Sequence, residues 1–456
     1  MPKRTCLAII LAAGEGTRMR SATPKVLHPV GGLPMLGHVL RTAKAVGASR
    51  IAVVARVGAS GDAVAAFVKA QSPDAVVYRQ NPSDPADSGT GKAVLAARKE
   101  FGRGYSDILV LYGDTPLVTG ETLAAMRERL ARKTDVVVMG FRPADPTGYG
   151  RLITNGRQLL AIREEKDAAP GERGIGFCNA GVMAFQGEGV PALLKKIGNA
   201  NAKGEYYLTD LVEIANRAGK SVEAVEADAR EVAGVNTRLE LSAVEGTFQE
   251  RARRAAMANG VTMLAPKTVF FSYDTRLGED VVIEPNVFFG PGVSVEGGVT
   301  IRAFSHIEGA TVARGAVIGP FARLRPGSEI GANARIGNFV ETKAAVIDKG
   351  AKVNHLTYIG DAHIGAETNI GAGTITCNYD GYGKYRTEIG ANAFIGSNSA
   401  LVAPVTIGKG AYVASGSVIT MNVPPDALAV ARGRQAVKKG WAEAFRRRKG
   451  GGKGKH

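Results

Sequence analysis

The chain has 456 residues, 45% apolar and 22% charged, with 59 glycines and only 6% aromatics: an ordinary globular composition with room for two or three cores. Of its net charge of +16, residues 432–456 carry +9 through ten Lys/Arg against one Glu, so the body keeps only +7 and a nucleic-acid-binding body is excluded. Three cysteines (Cys6, Cys178, Cys377) without a CxxC exclude a disulfide framework and a cysteine metal site, which fits a reducing cytoplasm.

The apolar run Cys6–Ala13 is far shorter than the roughly 20 residues a membrane span needs. Gly14-Glu15-Gly16 follows it where a cleavage site would stand, so neither signal nor anchor is expected. "CLAIILAAGEGTRM" reads as a buried strand, Cys6–Ala12, entering a Gly-rich turn. It is no Rossmann fingerprint, because Met19 holds the third Gly position, and "GTGK" (Gly89–Lys92) is no Walker A, because Ala86 and Ala93 break the pattern. The turn gains meaning from Arg18, Lys25 and Gly113-Asp114 at the end of "DILVLYGD". Glycines admit phosphate oxygens to backbone N–H groups, Arg and Lys neutralise them, and an Asp at a strand's carboxyl end is placed to hold Mg²⁺. Glu15, a carboxylate inside such a loop, is expected to point outward. Further strands at Ile51–Ala55, Ile108–Tyr112 and Val136–Gly140, separated by helical stretches, give a doubly wound α/β sheet. "NTRLELSAVEGTFQERARRAAMANG" then reads as a connecting helix with Leu239, Val244, Phe248 and Ala252 on its apolar face.

The second half changes period. Ile389, Ile395, Leu401, Ile407, Val413 and Ile419 stand six apart, as do Ile318, Leu324, Ile330 and Ile336, and Ile347, Val353 and Ile359. A six-residue repeat, often followed by Gly, specifies a parallel β-helix with one inward aliphatic per face. Each coil needs its neighbours to bury that column. Such a rod has no deep cleft, so sites are expected where rods pack side by side, and oligomerisation with them. Between Ile370 and Ile389 the period is lost and "CNYDGYGKYRT" (Cys377–Thr387) is read as a binding loop. His355 falls between the inward slots Val353 and Ile359, so the column does not need it; His363, one residue before Ile364, reads as surface.

"LAAGEGTRM…PKVL" resembles the sugar-nucleotide pyrophosphorylases. Together with "YGD", "GYGR", "EEKD", "GEYYLTD" and "GVNTR", and with "RLRPG", "GNFVETK", "NHLTYIGD", "NIGAGTITCNYDG" and "LVAPVTIGKGA", the chain is similar from about Leu7 to Arg432 to one branch of them. That branch is the bacterial bifunctional family joining glucosamine-1-phosphate N-acetyltransferase to N-acetylglucosamine-1-phosphate uridylyltransferase. The resemblance implies a Rossmann-like nucleotidyltransferase domain plus a left-handed parallel β-helix of hexapeptide repeats, and a homotrimer formed through the β-helix. It also implies UDP-N-acetylglucosamine as product, feeding peptidoglycan and lipopolysaccharide precursors, with glucosamine 1-phosphate, acetyl-CoA and UTP as substrates. Mg²⁺ is the implied metal, and neither membrane nor nucleic acid is an expected partner.

By that resemblance Leu11, Ala12, Ala13 and Gly14 form the nucleotide loop, while Arg18 and Lys25 act on the triphosphate. Gln80 with Gly89-Thr90 reads uracil, although the intervening "NPSDPADS" is longer than the family's usual spacing. Tyr112, Gly113 and Asp114 line the site, Gly150, Glu164 and Asn179 hold the sugar, and Asp114 with Asn236 ligates Mg²⁺; Asn236 alone would read as a helix N-cap. A sugar phosphate attacking the α-phosphorus of UTP needs no side-chain nucleophile, only positioning and charge neutralisation. For acetyl transfer a neutral amine must attack a thioester, which calls for a base; His355 matches the family's, with Glu341 orienting the imidazole. Arg325, Lys343 and Tyr358 match the residues holding the acceptor's phosphate, and Asn369 its sugar contact. Asn378 and Tyr379 match acceptor and acetyl contacts, with Asn378 a candidate oxyanion donor, and Ala372, Ser397, Ser415 and Arg432 fall at acetyl-CoA positions.

The expected domains are 1–235 (uridylyltransferase), 236–260 (linker helix), 261–432 (β-helix acetyltransferase) and 433–456, a basic tail disordered at its end. Two other readings compete. One is a single-activity pyrophosphorylase with an inert β-helix, against which stand His355, Lys343, Asn378-Tyr379 and Arg432; the other is a nucleic-acid binder, which rests on the tail alone.

Overall fold

The structure, a computed structural model, describes residues 4–450. The chain divides into two compact units at residues 254 and 255.

The first unit is built on a nine-stranded sheet. Its strands are β1 (Cys6–Ala12), β2 (Arg50–Arg56), β3 (Val76–Gln80), β4 (Asp107–Tyr112), β5 (Val136–Phe141), β6 (Arg151–Asn155), β7 (Gln158–Arg163), β8 (Cys178–Gln186) and β9 (Val222–Glu226), in the order β3-β2-β1-β4-β8-β5-β9-β7-β6. β1 pairs in parallel with β2 and β4, whereas β8 runs antiparallel between β4 and β5. Every residue of β1 is buried because both faces are covered, which is why it reads as an unbroken apolar run. Cys6, Ala8 and Ile10 pack with Leu36, Val39 and Leu40 of the helix Met35–Ala45. Leu7, Ile9 and Leu11 join Val94, Phe185 and Leu211 on the other face. Chain order reverses at β1, so the loops after β1 and β4 flank the crevice where such sheets take ligands.

The helix Arg238–Ala258 begins with a reciprocal cap. Thr237 Oγ1 accepts from the Glu240 N–H, and the Glu240 carboxylate accepts from the N–H groups of Asn236 and Thr237. The cap is therefore Thr237, which frees the Asn236 side chain. Val244 is buried, with Leu241 and Phe248, against Met19, Val30, Met35 and Leu117. Leu239, expected on that face, is 84% exposed: the apolar stripe starts two residues later.

The second unit is the parallel β-helix. Val282 pairs with Thr300, Thr300 with Val317, Val317 with Arg335 and Arg335 with Lys352, a return every 17 or 18 residues. The inward slots are as the six-residue period places them, and a second slot four residues on carries small residues such as Ala316, Ala334, Ser399 and Ser417. Hydroxyls there donate to the carbonyl three residues back, as Ser399 does to Gly396 and Ser417 to Ala414, both at 2.6 Å. Two slots that looked vacant are filled by buried threonines. Thr342 shares a 2.8 Å hydroxyl contact with Ser328, and Thr376 accepts from the Gly360 N–H. The period thus survives to Thr376, and the loop leaves the rod only beyond Cys377. The rung spacing records it: His363 pairs with Glu388, 25 residues on. His363 itself lies between Asp348 and Glu388, at 2.9 and 3.1 Å. Lysines and arginines from 438 to 449 are exposed, and Trp441–Gly450 is a helix; the end of the tail, where disorder was expected, falls on residues 451–456, which lie outside the described ones.

Candidate functional sites

In the first unit, a cavity of about 610 Å³ opens at the carboxyl ends of β1 and β4. Leu11, Ala12, Ala13, Gly14, Lys25, Gln80, Gly89, Thr90, Tyr112, Asp114, Glu164 and Asn179 all line it. Twelve residues read from separate motifs thus share one wall. Gly113 and Gly150 stand behind it, Gly113 N–H donating to the Leu11 carbonyl and the Gly150 carbonyl accepting from Asn179. Arg18 lies on the short helical turn Thr17–Met19 and is exposed. Glu15 lines the mouth with its carboxylate turned onto Arg56 at 2.9 Å, which removes the repulsion a bare anion would exert there.

The long loop after Gln80 folds outward and returns. Asn81 N–H donates to the Asp87 carboxylate, and both amide hydrogens of buried Gln80 go to loop carbonyls, Asp87 at 2.7 Å and Gly89 at 3.0 Å. The added length is absorbed before Gly89, which still sits beside Gln80. Gly89, at φ 100°, abuts the Tyr206 backbone so closely that a Cβ would lie 2.5 Å from its carbonyl oxygen. Leu208 N–H donates to Thr90 Oγ1 at 2.9 Å, so the "GEYYLTD" segment closes the cavity and contributes Glu205, Tyr207 and Thr209, with Lys203 beside it. Those four went unassigned in the sequence. Burial pushes the Glu164 carboxyl above the ordinary range, while Lys203 and a 3.3 Å bond from Thr209 oppose the shift. Burial likewise raises the Tyr112 phenol, helped by the charges of Asp114 and Glu164.

Lys25 Nζ forms an ion pair with Asp114 and donates to Asn236 Oδ1 at 3.1 Å. The Asp114 and Asn236 oxygens therefore converge on one cation. That hard oxygen pair fits Mg²⁺, which takes few protein ligands. Among the described residues no group of three or more His, Cys, Asp and Glu could hold a metal.

In the second unit the residues fall into two groups divided by a corner of the coil. The strands Arg335–Ile347 and Lys352–Ile364 cross that corner at Phe339 and Leu356, both at positive φ. Just before it, Asn338 is paired with His355 on the ladder, and Asn338 Oδ1 lies 2.8 Å from His355 Nδ1. The column continues coil by coil. The His355 carbonyl accepts from Gly373, that of Ala372 from Asn398 and that of Ser397 from Gly416, while the Ser415 carbonyl accepts from the Arg432 guanidinium at 2.7 Å. His355, Ala372, Ser397, Ser415 and Arg432 thus form one line down one edge of the rod.

Beyond the corner, Arg325 donates to Glu341 at 2.9 Å, and Glu341 is paired with Tyr358. Within one chain Glu341 therefore meets Arg325 and Tyr358 rather than His355. The coil is 17 residues long here, and it brings Asn338 under the imidazole instead. Lys384 returns on the loop to Lys343, whose ammonium, through hydrogen bonding and charge, depresses the Lys384 pKa; Asp361 and Tyr358 oppose the shift. Asn378 donates its amide to the Asp361 carboxylate, and exposed Tyr379 donates its hydroxyl to Gly381 at 2.6 Å. Asn369 lies on a third ladder, between Lys352 and Phe394. Asn338, Asp361 and Lys384 were missed in the sequence; the coil length was the signal that points to Asn338.

Residues 8–175 match the MobA-like NTP transferase domain, and residues 309–344 and 386–420 match the bacterial transferase hexapeptide family of six repeats. The Bifunctional protein GlmU of Azorhizobium caulinodans is 61% identical over 450 residues, covering 99% of each chain. The chain belongs to the GlmU family. Its GlmU relatives from Xanthobacter autotrophicus (60% identical, 98% of each chain) and Agrobacterium fabrum (56%, 98% of this chain and 97% of that one) match over the same extent. The chain carries both an NTP transferase and a hexapeptide module.

Proposed function

We infer that the chain is a bifunctional enzyme that makes UDP-N-acetylglucosamine, acetylating glucosamine 1-phosphate from acetyl-CoA and then transferring a uridylyl group from UTP. One observation carries the second activity: exposed His355, outside the inward column, holds its Nδ1 2.8 Å from Asn338 Oδ1 at the head of the edge that bears Ala372, Ser397, Ser415 and Arg432.

In the acetyl site, His355 takes a proton from the acceptor's ammonium. The free amine attacks the thioester carbonyl, the C–S bond breaks, and the thiolate leaves and is protonated. With Asn338 Oδ1 accepting from Nδ1–H, Nε2 is the bare nitrogen that does this work. Arg325, Lys343 and Tyr358 hold the acceptor's phosphate, joined by Lys384, and Asn369 contacts the sugar. Asn378 and Tyr379 meet the acetyl group, and the column below His355 takes the coenzyme. Side chains on two faces of one coil diverge, so the phosphate group and the base meet in one pocket only when another copy covers the corner. The exposed stack Phe304–Phe321–Phe339, with centroids 4.8 and 5.2 Å apart, and Leu356 beside His355 form the apolar edge that copy would cover. The assembly is a homotrimer through the β-helix.

In the uridylyl site, the loop Leu11–Gly14 takes the phosphates, with Arg18 and Lys25 as counter-charges. Gln80, its amide hydrogens already engaged, offers an acceptor to the imide N–H of uracil beside Gly89-Thr90. Glu164, Asn179 and Gly150 hold the sugar beside Tyr112, and its phosphate oxygen attacks the α-phosphorus as pyrophosphate leaves. Asp114 and Asn236 would hold Mg²⁺, which supplies charge neutralisation on the triphosphate when bound. No helix among the described residues is long and apolar enough to cross a membrane, and Cys6, Cys178 and Cys377 are free, which supports a cytoplasmic enzyme. The test supplies acetyl-CoA, glucosamine 1-phosphate, UTP and Mg²⁺ and follows products by mass. A single-activity pyrophosphorylase would leave glucosamine 1-phosphate unacetylated.

A further inference from the structure

The ammonium of Lys25 sits where a cation bound by Asp114 and Asn236 would sit. It pairs with the Asp114 carboxylate and donates to Asn236 Oδ1 at 3.1 Å. Both charged side chains are largely withdrawn from solvent, 11% exposed for Lys25 and 18% for Asp114, so water does little to screen what happens between them. The root of the side chain is pinned: Lys25 opens a short helical turn, and its Cβ lies against Gly16, where an added Cβ would be 2.6 Å away. Only the flexible stem beyond Cβ can swing. Asn236 is presented by the Thr237 and Glu240 cap, which fixes its backbone and leaves the carboxamide to turn inward.

We propose that Lys25 and the divalent cation are alternative occupants of one oxygen pair, and that the nucleotide decides between them. This rests on the metal reading of Asp114 and Asn236. A dication and an ammonium on the same two oxygens would stand within a few ångströms of each other in a poorly screened site, where like charges repel strongly. One must therefore leave. Without nucleotide, the ammonium neutralises Asp114 and keeps stray cations out. A triphosphate on the Leu11–Gly14 loop offers Lys25 a stronger set of anions within reach of its stem. The ammonium moves to the phosphates, and the vacated oxygens accept the metal. Metal entry is thus conditional on nucleotide, beyond whatever the phosphates contribute as ligands. Lys25 has two successive partners rather than one.

The decisive measurement uses Mn²⁺ alone, with no nucleotide, counting free Mn²⁺ by electron paramagnetic resonance against the full-length chain. K25Q removes the competing charge, and its Mn²⁺ dissociation constant should fall about tenfold relative to the parent. K25R keeps a cation on the oxygens and should bind Mn²⁺ as weakly as the parent. D114N should abolish binding in both backgrounds, which fixes the site. K25A, with melting curves for every variant, repeats the test should K25Q fold poorly. Unchanged or weaker Mn²⁺ binding in a folded K25Q or K25A, or equal tightening in K25R, overturns the proposal. Because no nucleotide is present, this result is separate from whether the enzyme accepts UTP. Failure of the metal reading shows differently, as Mn²⁺ binding that D114N leaves untouched.

Discussion

The two units build sites in opposite ways. In the sheet unit, loops from distant stretches of sequence line a concavity of about 610 Å³ inside one chain, at the carboxyl ends of the paired strands β1 and β4. In the β-helix, groups three residues apart, such as His355 and Tyr358, point away from each other across a corner. A doubly wound sheet makes a pocket by itself. A solenoid makes an edge, and an edge becomes a pocket only against something else. On the proposed trimer, the same chain should show one activity that survives dissociation and one that does not.

That contrast can be broken most sharply by paired substitutions. His355→Ala should cut acetyl transfer by about 10³-fold, the range of a lost general base, and leave uridylylation of added N-acetylglucosamine 1-phosphate intact. Asp114→Ala should do the reverse, by about 10³-fold or more. Loss of both activities in either variant, followed by mass spectrometry, would deny two separate sites. Next in size is Ile395→Ala, which empties an inward slot and should cost about 3 kcal/mol, read as a calorimetric transition lowered for the β-helix alone. Asn338 offers a subtler probe. Asn338→Ala should lower acetyl-transfer kcat about tenfold by freeing the imidazole. Asn338→Asp should instead move the acid limb of its pH profile up by about one unit, since a carboxylate favours the imidazolium; an unmoved limb would mean that Asn338 does not touch the working base. The smallest effect belongs to Glu164. Its raised pKa means that the folded state holds this proton more tightly, so stability falls as pH rises from the unfolded carboxyl's pKa through the raised one and is flat above. Glu164→Gln should remove that slope, raising the melting temperature at neutral pH by about 1 to 2 °C while weakening sugar binding.

Both architectures were legible because their periods are stated in the chain: an unbroken apolar run for a strand covered on both faces, and a six-residue beat for the rod. Thr342 and Thr376 escaped because a hydroxyl in an inward slot breaks the pattern for the eye while hydrogen bonds keep it for the fold. Twelve residues read in compact motifs share the cavity of the first unit because those motifs sit at strand ends, whereas Lys203, Glu205, Tyr207 and Thr209 went unassigned. The β-helix site was less legible. His355 stands 17 residues from Asn338 and 14 from Glu341, and only the coil length decides which of them it meets. Lys384 was hidden because a loop's return path is not written in any period, and Leu239 because a helix cap shifts where its stripe begins.

The strands Arg335–Ile347 and Lys352–Ile364 share ten rungs in a single strand pair that runs across the corner, whereas the strand pairs toward either end share two or three each. In a stack held by nearest neighbours, fraying starts at the ends and stops at the best-tied layers. The amide protons around Asn338 and His355 should then be among the slowest to exchange with deuterium, so the proposed acetyl-transfer site is mounted on the stiffest part of the rod, and heating should strip coils from both termini before it disturbs His355.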